Sequence, residues 1–265
     1  DICLLRHDGS GKNAFKNPLS FRYLDDNFIE SDAVKIGKTF MDYLKKTKDP
    51  RIHVYCSLKD GNTEFDKQFG LPNGYDSHTI ADAPSGSFVG LENTSNFNIN
   101  TILRLDAPTI FLMPSETKLL LAEAVLRNWT NGNAEVLYKE AITSSMKEQE
   151  IAYGTQGKIT DEEIETYLAQ NLFSTANNTE KLQIIGEQYW VATFINGYES
   201  YANWRRTGYP KLIPTNYSGS MSPGVIPTRL PYPTDEYSIN RANVDTANQQ
   251  QGADKVTTHI WWDID

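Results

Sequence analysis

The chain contains little cysteine, no long apolar run and no excess of basic residues. Cys3 and Cys56 are the two cysteines among 265 residues, too few to define a disulfide framework or a cysteine-based metal site. No apolar run approaches the ~18 residues of a membrane-spanning helix, and the formal charge of −9 leaves no basic face for phosphates. We therefore expect a globular protein that does not bind nucleic acid and whose ligand is neutral.

The sequence signatures of common catalytic and metal sites are also missing. The four histidines are isolated, with no pair at the spacing of metal ligands on a helix. The stretch from Gly9 to Lys12 suggests part of a phosphate-binding loop, but Arg6 stands where the first glycine is required and Asn13 where Ser or Thr is required. Nothing matches a Gly-x-Ser-x-Gly or Cys/His nucleophile pattern. We predict no catalytic residue, no metal and no cofactor.

Apolar periodicity predicts a mainly α-helical chain with long irregular loops. Start and stop signals place helices of the following extents: about fifteen residues from a cap at Ser31, Ser115 to about Asn128, Ala134 to about Gln149, Thr160 to about Asn171, and Thr179 to about Trp204. The last should be the longest, and its many aromatic residues predict burial on more than one side. The first thirty residues and the tail after Trp204 are predicted to be loop.

The segment 115–149 is predicted to be a pair of packed helices. Its Ala122, Ala134, Tyr138 and Ala141 have the spacing at which tetratricopeptide repeats place small and aromatic contact residues. A generic helical hairpin with chance alanines is the alternative interpretation. The segment 56–105, by contrast, shows no helical period over fifty residues, so we interpret it as a loop-rich insertion rather than a plain connector.

Two short motifs near the C-terminal end have a predicted structural role. Arginine at the end of a helix hydrogen-bonds carboxylates or carbonyl groups, and Gly followed by Pro stops the helix. The first motif contains Trp204, Arg205, Arg206, Gly208 and Pro210, and the second contains Arg229, Pro231, Tyr232 and Pro233. An anion-binding role for the two consecutive arginines is the alternative to a structural corner.

These motifs resemble the SusD/RagB family, the surface nutrient-binding lipoproteins of Bacteroidetes. The branch in question has Trp-Arg-Arg-Thr-Gly-x-Pro-x-Leu followed by Arg-x-Pro-Tyr-Pro. Further blocks agree with that pattern in order along the chain: Asp49-Pro50-Arg51, Ser115-Glu116, Leu121 to Ala124, Glu187 and Glu199. Family members are commonly about twice as long, so the resemblance implies the C-terminal part of a longer protein.

The resemblance implies a single SusD-like domain over residues 1–265, built as an α-α superhelix of tetratricopeptide-like helix pairs. It also implies a non-catalytic protein that captures oligosaccharide and passes it to a TonB-dependent SusC-like transporter. Its place would be the outer-membrane surface, with a lipid anchor outside this chain. The alternatives are a lid for peptide or another nutrient, or a helical-repeat module that binds proteins. A glycoside hydrolase would need paired carboxylates, which no spacing singles out.

The ligand-binding residues are predicted to lie in the loop-rich insertion. Sugar rings stack on aromatic side chains while neighbouring polar groups bond the hydroxyls, and the resemblance places part of the family's glycan site in this region. We select Tyr75, Phe88 and Phe97 as the candidates. For each of them, anchoring of the loop in the helical core is the alternative role.

Overall fold

Ten α-helices and four short β-strands make up the part of the chain that the structure, a computed structural model, describes: residues 2–10, 12, 15–25, 34–75, 78–216 and 220–263. The elements in order are β1 (Cys3–Leu5), α1 (Pro18–Asp25), α2 (Lys38–Thr47), α3 (Ile52–Tyr55), β2 (Cys56–Ser57), β3 (Asn96–Phe97), β4 (Thr109–Leu112), α4 (Pro114–Leu126), α5 (Ala134–Tyr153), α6 (Asp161–Gln170), α7 (Asn178–Ala192), α8 (Gly197–Thr207), α9 (Thr234–Ile239) and α10 (Arg241–Gln251). The predicted mainly helical class is confirmed.

The chain divides into two compact units. The larger comprises residues 1–73 and 77–210, and the smaller comprises residues 74–76 and 211–265. The larger unit contains a continuous apolar core drawn from α2, α4, α5 and α7, in which Leu44, Leu119, Ile142 and Val191 are fully buried. Each such side chain contributes about 1.5–3 kcal/mol through burial.

The α4–α5 pair has the close packing that its small residues permit. Ala122 and Ala141 are fully buried, and Tyr138 beside them is 1% exposed. The Tyr138 ring stacks on Phe173, with centroids 4.5 Å apart and planes 15° apart. Helix α6 begins where the Thr160 capping box predicts, because the Thr160 side chain accepts from the Glu163 backbone N–H and Glu163 accepts from that of Thr160.

A buried ion pair between Asp49 and Arg51 connects the stretch after α2 to three helices. Both side chains are inaccessible to solvent. The Arg51 guanidinium donates to Asp49 Oδ1 at 2.9 Å, to Ser145 Oγ on α5 at 2.9 Å and to Gln188 Oε1 on α7 at 2.7 Å. The Gln188 amide in turn donates to Tyr167 Oη on α6 at 2.8 Å. The stretch after α2 is thereby tied to α5, α6 and α7 through one charged centre.

The electrostatics of this centre keep the arginine charged and the nearby phenols neutral. Burial opposes the charge on Arg51, but the adjacent Asp49 carboxylate outweighs it and raises the pKa of the guanidinium. Burial raises the pKa of Tyr43 and Tyr167 well above the ordinary value. The Gln188 amide also donates to Tyr43 Oη at 3.0 Å, which adds Tyr43 to the network.

The 56–105 segment has little regular structure and is held in place by buried polar side chains. Its described residues contain no α-helix; they form 3₁₀ turns, the two-residue pairing of β2 with β3 and a single bridge between Leu71 and Gly37. Gln68 is fully buried, donates to the carbonyls of Asn62 and Glu64, and accepts from Ser95 Oγ at 2.8 Å. Thr101 Oγ1 donates to the Val54 carbonyl at 2.6 Å. The segment is therefore an ordered loop whose backbone groups are satisfied by side chains.

The expectation of loop throughout the first thirty residues is wrong. Strand β1 pairs antiparallel with β4, and α1 follows Asn17, whose Oδ1 accepts from the Leu19 and Ser20 N–H groups. A three-residue strand is too short to show a period in the sequence. The predicted cap at Ser31 lies outside the described residues, and α2 begins later than expected, at Lys38 after Gly37.

The predicted long helix from Thr179 to Trp204 is two helices, α7 and α8, and α5 is longer than either. The break falls where Thr193 turns its hydroxyl onto the Tyr189 carbonyl and Asn196 caps α8 by accepting from the Glu199 N–H. Asn followed three residues later by Glu is a helix-start signal. Burial on several sides is also wrong for α8, because Tyr198 is 91% exposed.

The tail after Trp204 is not all loop, because the smaller unit contains α9 and α10. The stretch from Thr234 to Gln251 is free of glycine and proline, which permits helix despite its polar composition. Helix α10 buries Val244, and an i,i+4 pair between Arg241 and Asp245 lies on its exposed side.

Replacing Arg51 with methionine should lower the free energy of unfolding by about 3–5 kcal/mol, because the Asp49 carboxylate is left buried without its counter-charge. Urea unfolding monitored by circular dichroism measures this. Lys38→Met is the matched control, since Lys38 forms an exposed ion pair with Asp42 and should cost at most about 0.5 kcal/mol. Equal losses in the two variants would contradict the role assigned to the buried pair.

Candidate functional site

The first C-terminal motif forms the end of α8, where Gly208 takes the left-handed conformation with φ of 69° and its N–H donates to the Trp204 carbonyl at 2.7 Å. Arg206 reaches α4 and donates to both oxygens of Glu123, at 2.7 Å each. Pro210 follows, and it is buried. Arg205 lies with its guanidinium carbon 5.5 Å from the centre of the Tyr201 ring. The end of α8 is thus fixed to α4.

The Glu123 carboxylate is the partner that this corner requires. Its side chain is 5% exposed and also accepts from Arg127 Nε at 2.7 Å. Burial acts to raise the pKa of Glu123, but the hydrogen bonds from Arg206 and Arg127 outweigh it and hold the pKa below its usual range. Between α7 and the corner, a Cβ on Gly186 would lie 2.6 Å from that of Tyr209, so only glycine permits this approach.

The second motif is organised around Asp254, within the smaller unit. Arg229 donates to Asp254 Oδ1 at 2.7 Å and lies 4.8 Å from the centre of the Tyr232 ring. The Tyr232 N–H and the Tyr237 hydroxyl also donate to Asp254, the latter at 2.7 Å. Pro233 precedes α9 as its N-cap. Pro231 lies between these contacts in a stretch without regular structure.

Of the three aromatic residues predicted to bind ligand, two belong to the larger unit and one to the smaller. Phe97 is partly buried, with its ring 5.4 Å from that of Tyr23 and 5.5 Å from that of Phe194. Phe88 is partly buried in an irregular stretch of the larger unit. Tyr75, also partly buried, belongs to the smaller unit. Each position is therefore considered separately.

An open groove of about 680 Å³ in the larger unit is our candidate site, and we call it the α6 groove. Its volume lies within the range of small-ligand sites. Three stretches line it: Lys48, Pro50, Ile52 and His53 after α2, Thr63 and Phe65 in the loop-rich segment, and Glu162, Glu163, Thr166, Tyr167 and Gln170 on α6. Tyr167 also belongs to the buried Arg51 network, so the base of the groove is fixed to the core.

The walls combine the aromatic face of Phe65 with polar groups that have no hydrogen-bond partner in the described part of the chain. Phe65 is half-buried and packs against the core. Among the described residues, nothing hydrogen-bonds the side chains of Thr63, Thr166 or Gln170, so their hydroxyls and amide are available to a ligand. Hydroxyl and amide groups both donate and accept, which suits a neutral, hydroxylated ligand.

Charged side chains of both signs line the groove. Lys48, Glu162 and Glu163 lie along it together with His53, whose Nε2 is 3.3 Å from the Lys158 carbonyl. Burial acts to raise the pKa of Glu163, but hydrogen bonds from Thr160 and the nearby His53 lower it overall. Beside the groove, Lys45 places its amine 4.2 Å from the Phe69 ring centre and 6.0 Å from that of Phe65, and burial lowers the pKa of this amine.

The sequence predicted the segment of Phe65 as the site region but did not select the groove residues. Pattern reasoning assigned Thr160 to Glu163 only a capping role, and no local signal links it to Thr63. The one usable signal was the aromatic side chain of Phe65 in a stretch without helical period.

The described residues contain no group of three or more His, Cys, Asp or Glu side chains placed to hold a metal ion. None of the helices described is both long enough and apolar enough to cross a membrane.

These features define a helical protein built on tetratricopeptide-like helix pairs with an ordered loop insertion. The family model SusD-like, described as "Starch-binding associating with outer membrane", matches residues 7–233. The chain belongs to this family. No curated protein matches the chain.

Solved structures agree with this assignment. A chitin-binding protein is 28% identical over 100% of this chain and 55% of its own, with a TM-score of 0.76. A SusD-like protein of Bacteroidetes AC2a is 22% identical, covering 100% and 61%, with a TM-score of 0.81. A chitin-binding SusD homologue from Flavobacterium johnsoniae is 23% identical, covering 95% and 54%, with a TM-score of 0.71. The chain spans little more than half the length of these relatives.

Replacing Glu123 with glutamine should lower the free energy of unfolding at pH 7 by about 1–2 kcal/mol, because two charge-assisted arginine contacts weaken. A carboxylate with a lowered folded-state pKa stabilises the fold above its ordinary pKa of about 4.3 and loses that contribution as pH falls below it. The difference between wild type and variant should therefore shrink toward pH 3 in urea titrations.

Glu135→Gln is the matched control for this titration, since Glu135 pairs with Lys139 on an exposed helix face. A Glu123→Gln deficit that stays constant from pH 7 to pH 3 would show that the ion pair is not what stabilises this corner.

Proposed function

We propose that this protein is the oligosaccharide-binding, non-catalytic component of a nutrient-uptake system at the outer-membrane surface. The observation that carries the proposal is the α6 groove, which Phe65 lines together with hydroxyl and amide groups that have no hydrogen-bond partner among the described residues. An aromatic face can stack on the apolar face of a sugar ring while Thr63, Thr166 and Gln170 bond its hydroxyls.

Membership of the SusD-like family supports a glycan as the ligand, since the family description names starch binding. The relative with 28% identity is a chitin-binding protein, which adds chitin oligosaccharides to the candidates. The net charge of −9 disfavours polyanionic glycans, because these would be repelled at long range. Neutral hexose and N-acetylhexosamine oligomers are therefore the first ligands to test.

The partner that we propose is a SusC-like TonB-dependent transporter, to which the bound oligosaccharide is passed. The family description, which associates its members with the outer membrane, supports this location. In the full-length protein a lipid anchor outside the present chain would hold it at the cell surface. Co-purification of the full-length protein with its transporter would test the partnership.

The loop residues Tyr75, Phe88 and Phe97 remain proposed ligand contacts. Tyr75 and Phe88 each retain partial exposure, which a stacking role requires. Phe97 contacts Tyr23 and Phe194, so its replacement by alanine should lower stability as well as any affinity. Each single alanine variant is to be assayed for binding and for unfolding together.

Peptide is the alternative ligand. Lys48 and Glu162 lie in the α6 groove with no ion-pair partner among the described residues, and they could receive the carboxyl and amino groups of a peptide. Oligosaccharide is favoured because the groove's neutral donors outnumber these two charges.

Titration calorimetry with maltooligosaccharides, chitooligosaccharides and a mixed peptide pool tests the proposal. We expect binding of one glycan class without release of shorter products. Phe65→Ala should weaken that binding about tenfold, equivalent to ~1.4 kcal/mol, through loss of the stacking face.

Phe111→Ala is the control, because Phe111 is 57% exposed on β4 and does not line the groove. Peptide binding without glycan binding, or hydrolysis of a bound oligosaccharide, would overturn the proposed function. An unchanged affinity in Phe65→Ala would place the glycan elsewhere.

A further inference from the structure

Helix α8 presents aromatic side chains to solvent instead of burying them. Among its described residues only Asn203 is buried. Tyr198 is 91% exposed and Tyr201 is 40% exposed, while Trp204 is half-buried. Large aromatic side chains normally contribute to stability by burial, so an exposed series on one helix requires another explanation.

Tyr198, Tyr201 and Trp204 follow one another at intervals of three residues, which places neighbours on adjacent positions of the helix surface. We call them the α8 aromatic strip. The rings of Tyr201 and Trp204 have planes 19° apart and centroids 6.1 Å apart. This separation exceeds the ~3.5–4.0 Å of face-to-face contact, so the two rings are offset and do not cover each other. The strip therefore offers nearly parallel aromatic surface to a ligand.

The helix that bears the strip is rigidly attached to the larger unit. Arg206 holds its C-terminal end to Glu123, and the Asn203 amide donates to the Gly186 carbonyl on α7 at 3.4 Å. At its N-terminal end Ser200 Oγ donates to the Thr193 carbonyl at 3.0 Å. A ligand that stacks on the strip would thus meet rings carried by a preorganised element.

We propose that the α8 aromatic strip is a second glycan-binding surface, distinct from the α6 groove, that holds further rings of a long oligosaccharide or polysaccharide. Tyrosine and tryptophan combine a flat apolar face with a polar edge, so they stack on sugar rings while their O–H and N–H groups bond hydroxyls.

A glycan fits this surface better than an apolar partner does. The strip is one side chain wide, because Glu199, Ser200 and Ala202 lie on other sides of the helix, so it offers a row of rings and no broad apolar area. None of its residues lines the α6 groove, so the two surfaces can bind independently or engage one long chain together. The inference rests on the proposed glycan-binding function and adds a second place of contact to it.

Two assays separate the surfaces. Calorimetry with a trisaccharide of the class that the wild type binds measures the affinity of the α6 groove. Removal of the protein from solution by the matching insoluble polysaccharide, starch or chitin, measures binding through several contacts at once. The double variant Tyr198→Ala/Tyr201→Ala should lose about tenfold in polysaccharide affinity while trisaccharide affinity stays unchanged. Phe65→Ala should weaken both the trisaccharide affinity and the polysaccharide affinity. Trp129→Ala is the control, since Trp129 is 70% exposed outside the strip.

Tyr198→Phe/Tyr201→Phe keeps the rings and should retain most of the polysaccharide affinity. Because both positions are exposed, thermal unfolding of every strip variant should match the wild type. If the wild type binds glycan and the double alanine variant behaves like Trp129→Ala, the second surface is disproved and the proposed function stands. If the wild type binds neither trisaccharide nor polysaccharide, the proposed function and this inference fail together.

Discussion

The buried ion pair of Asp49 and Arg51 is the interaction on which the arrangement of the larger unit depends. Charges of this kind are costly to desolvate and are retained only when every donor finds a partner. The acceptors of the Arg51 guanidinium lie on the stretch after α2, on α5 and on α7. Gln188 extends the network to the phenols of Tyr43 and Tyr167. An apolar residue at Arg51 could fill the space, but it could not specify which polar groups of those helices meet.

The same principle operates outside the core, where single charged or amide groups fix segments without regular structure. Gln68 holds the loop-rich segment, Glu123 the end of α8, and Asp254 the second motif. In each place one buried polar side chain makes several hydrogen bonds, at least one of them to a residue more than twenty positions away in sequence. Short polar motifs can therefore persist as family signatures although they contribute little apolar area.

Local signals in the sequence were sufficient for α4, α5 and α6, because periodicity and a capping box act within a few residues. They were insufficient for β1, whose partner strand lies more than a hundred residues away. The break before α8 had a signal in Asn196 and Glu199, which the aromatic period obscured. Of the segment Phe65–Phe97 proposed for ligand contact, only Phe65 lines the α6 groove, and the groove itself could not be derived because Lys48, Thr63 and Thr166 are brought together only by tertiary packing.

Tyr167 has a consequence for how this scaffold can diversify. Its ring forms the base of the groove while its hydroxyl belongs to the Arg51 network, so a change there would alter folding and recognition at once. The side chains of Thr63, Thr166 and Gln170 on the walls make no hydrogen bond to the core among the described contacts. Natural variation in ligand preference should therefore accumulate on the rim, where residues can change freely, above a base that remains constant.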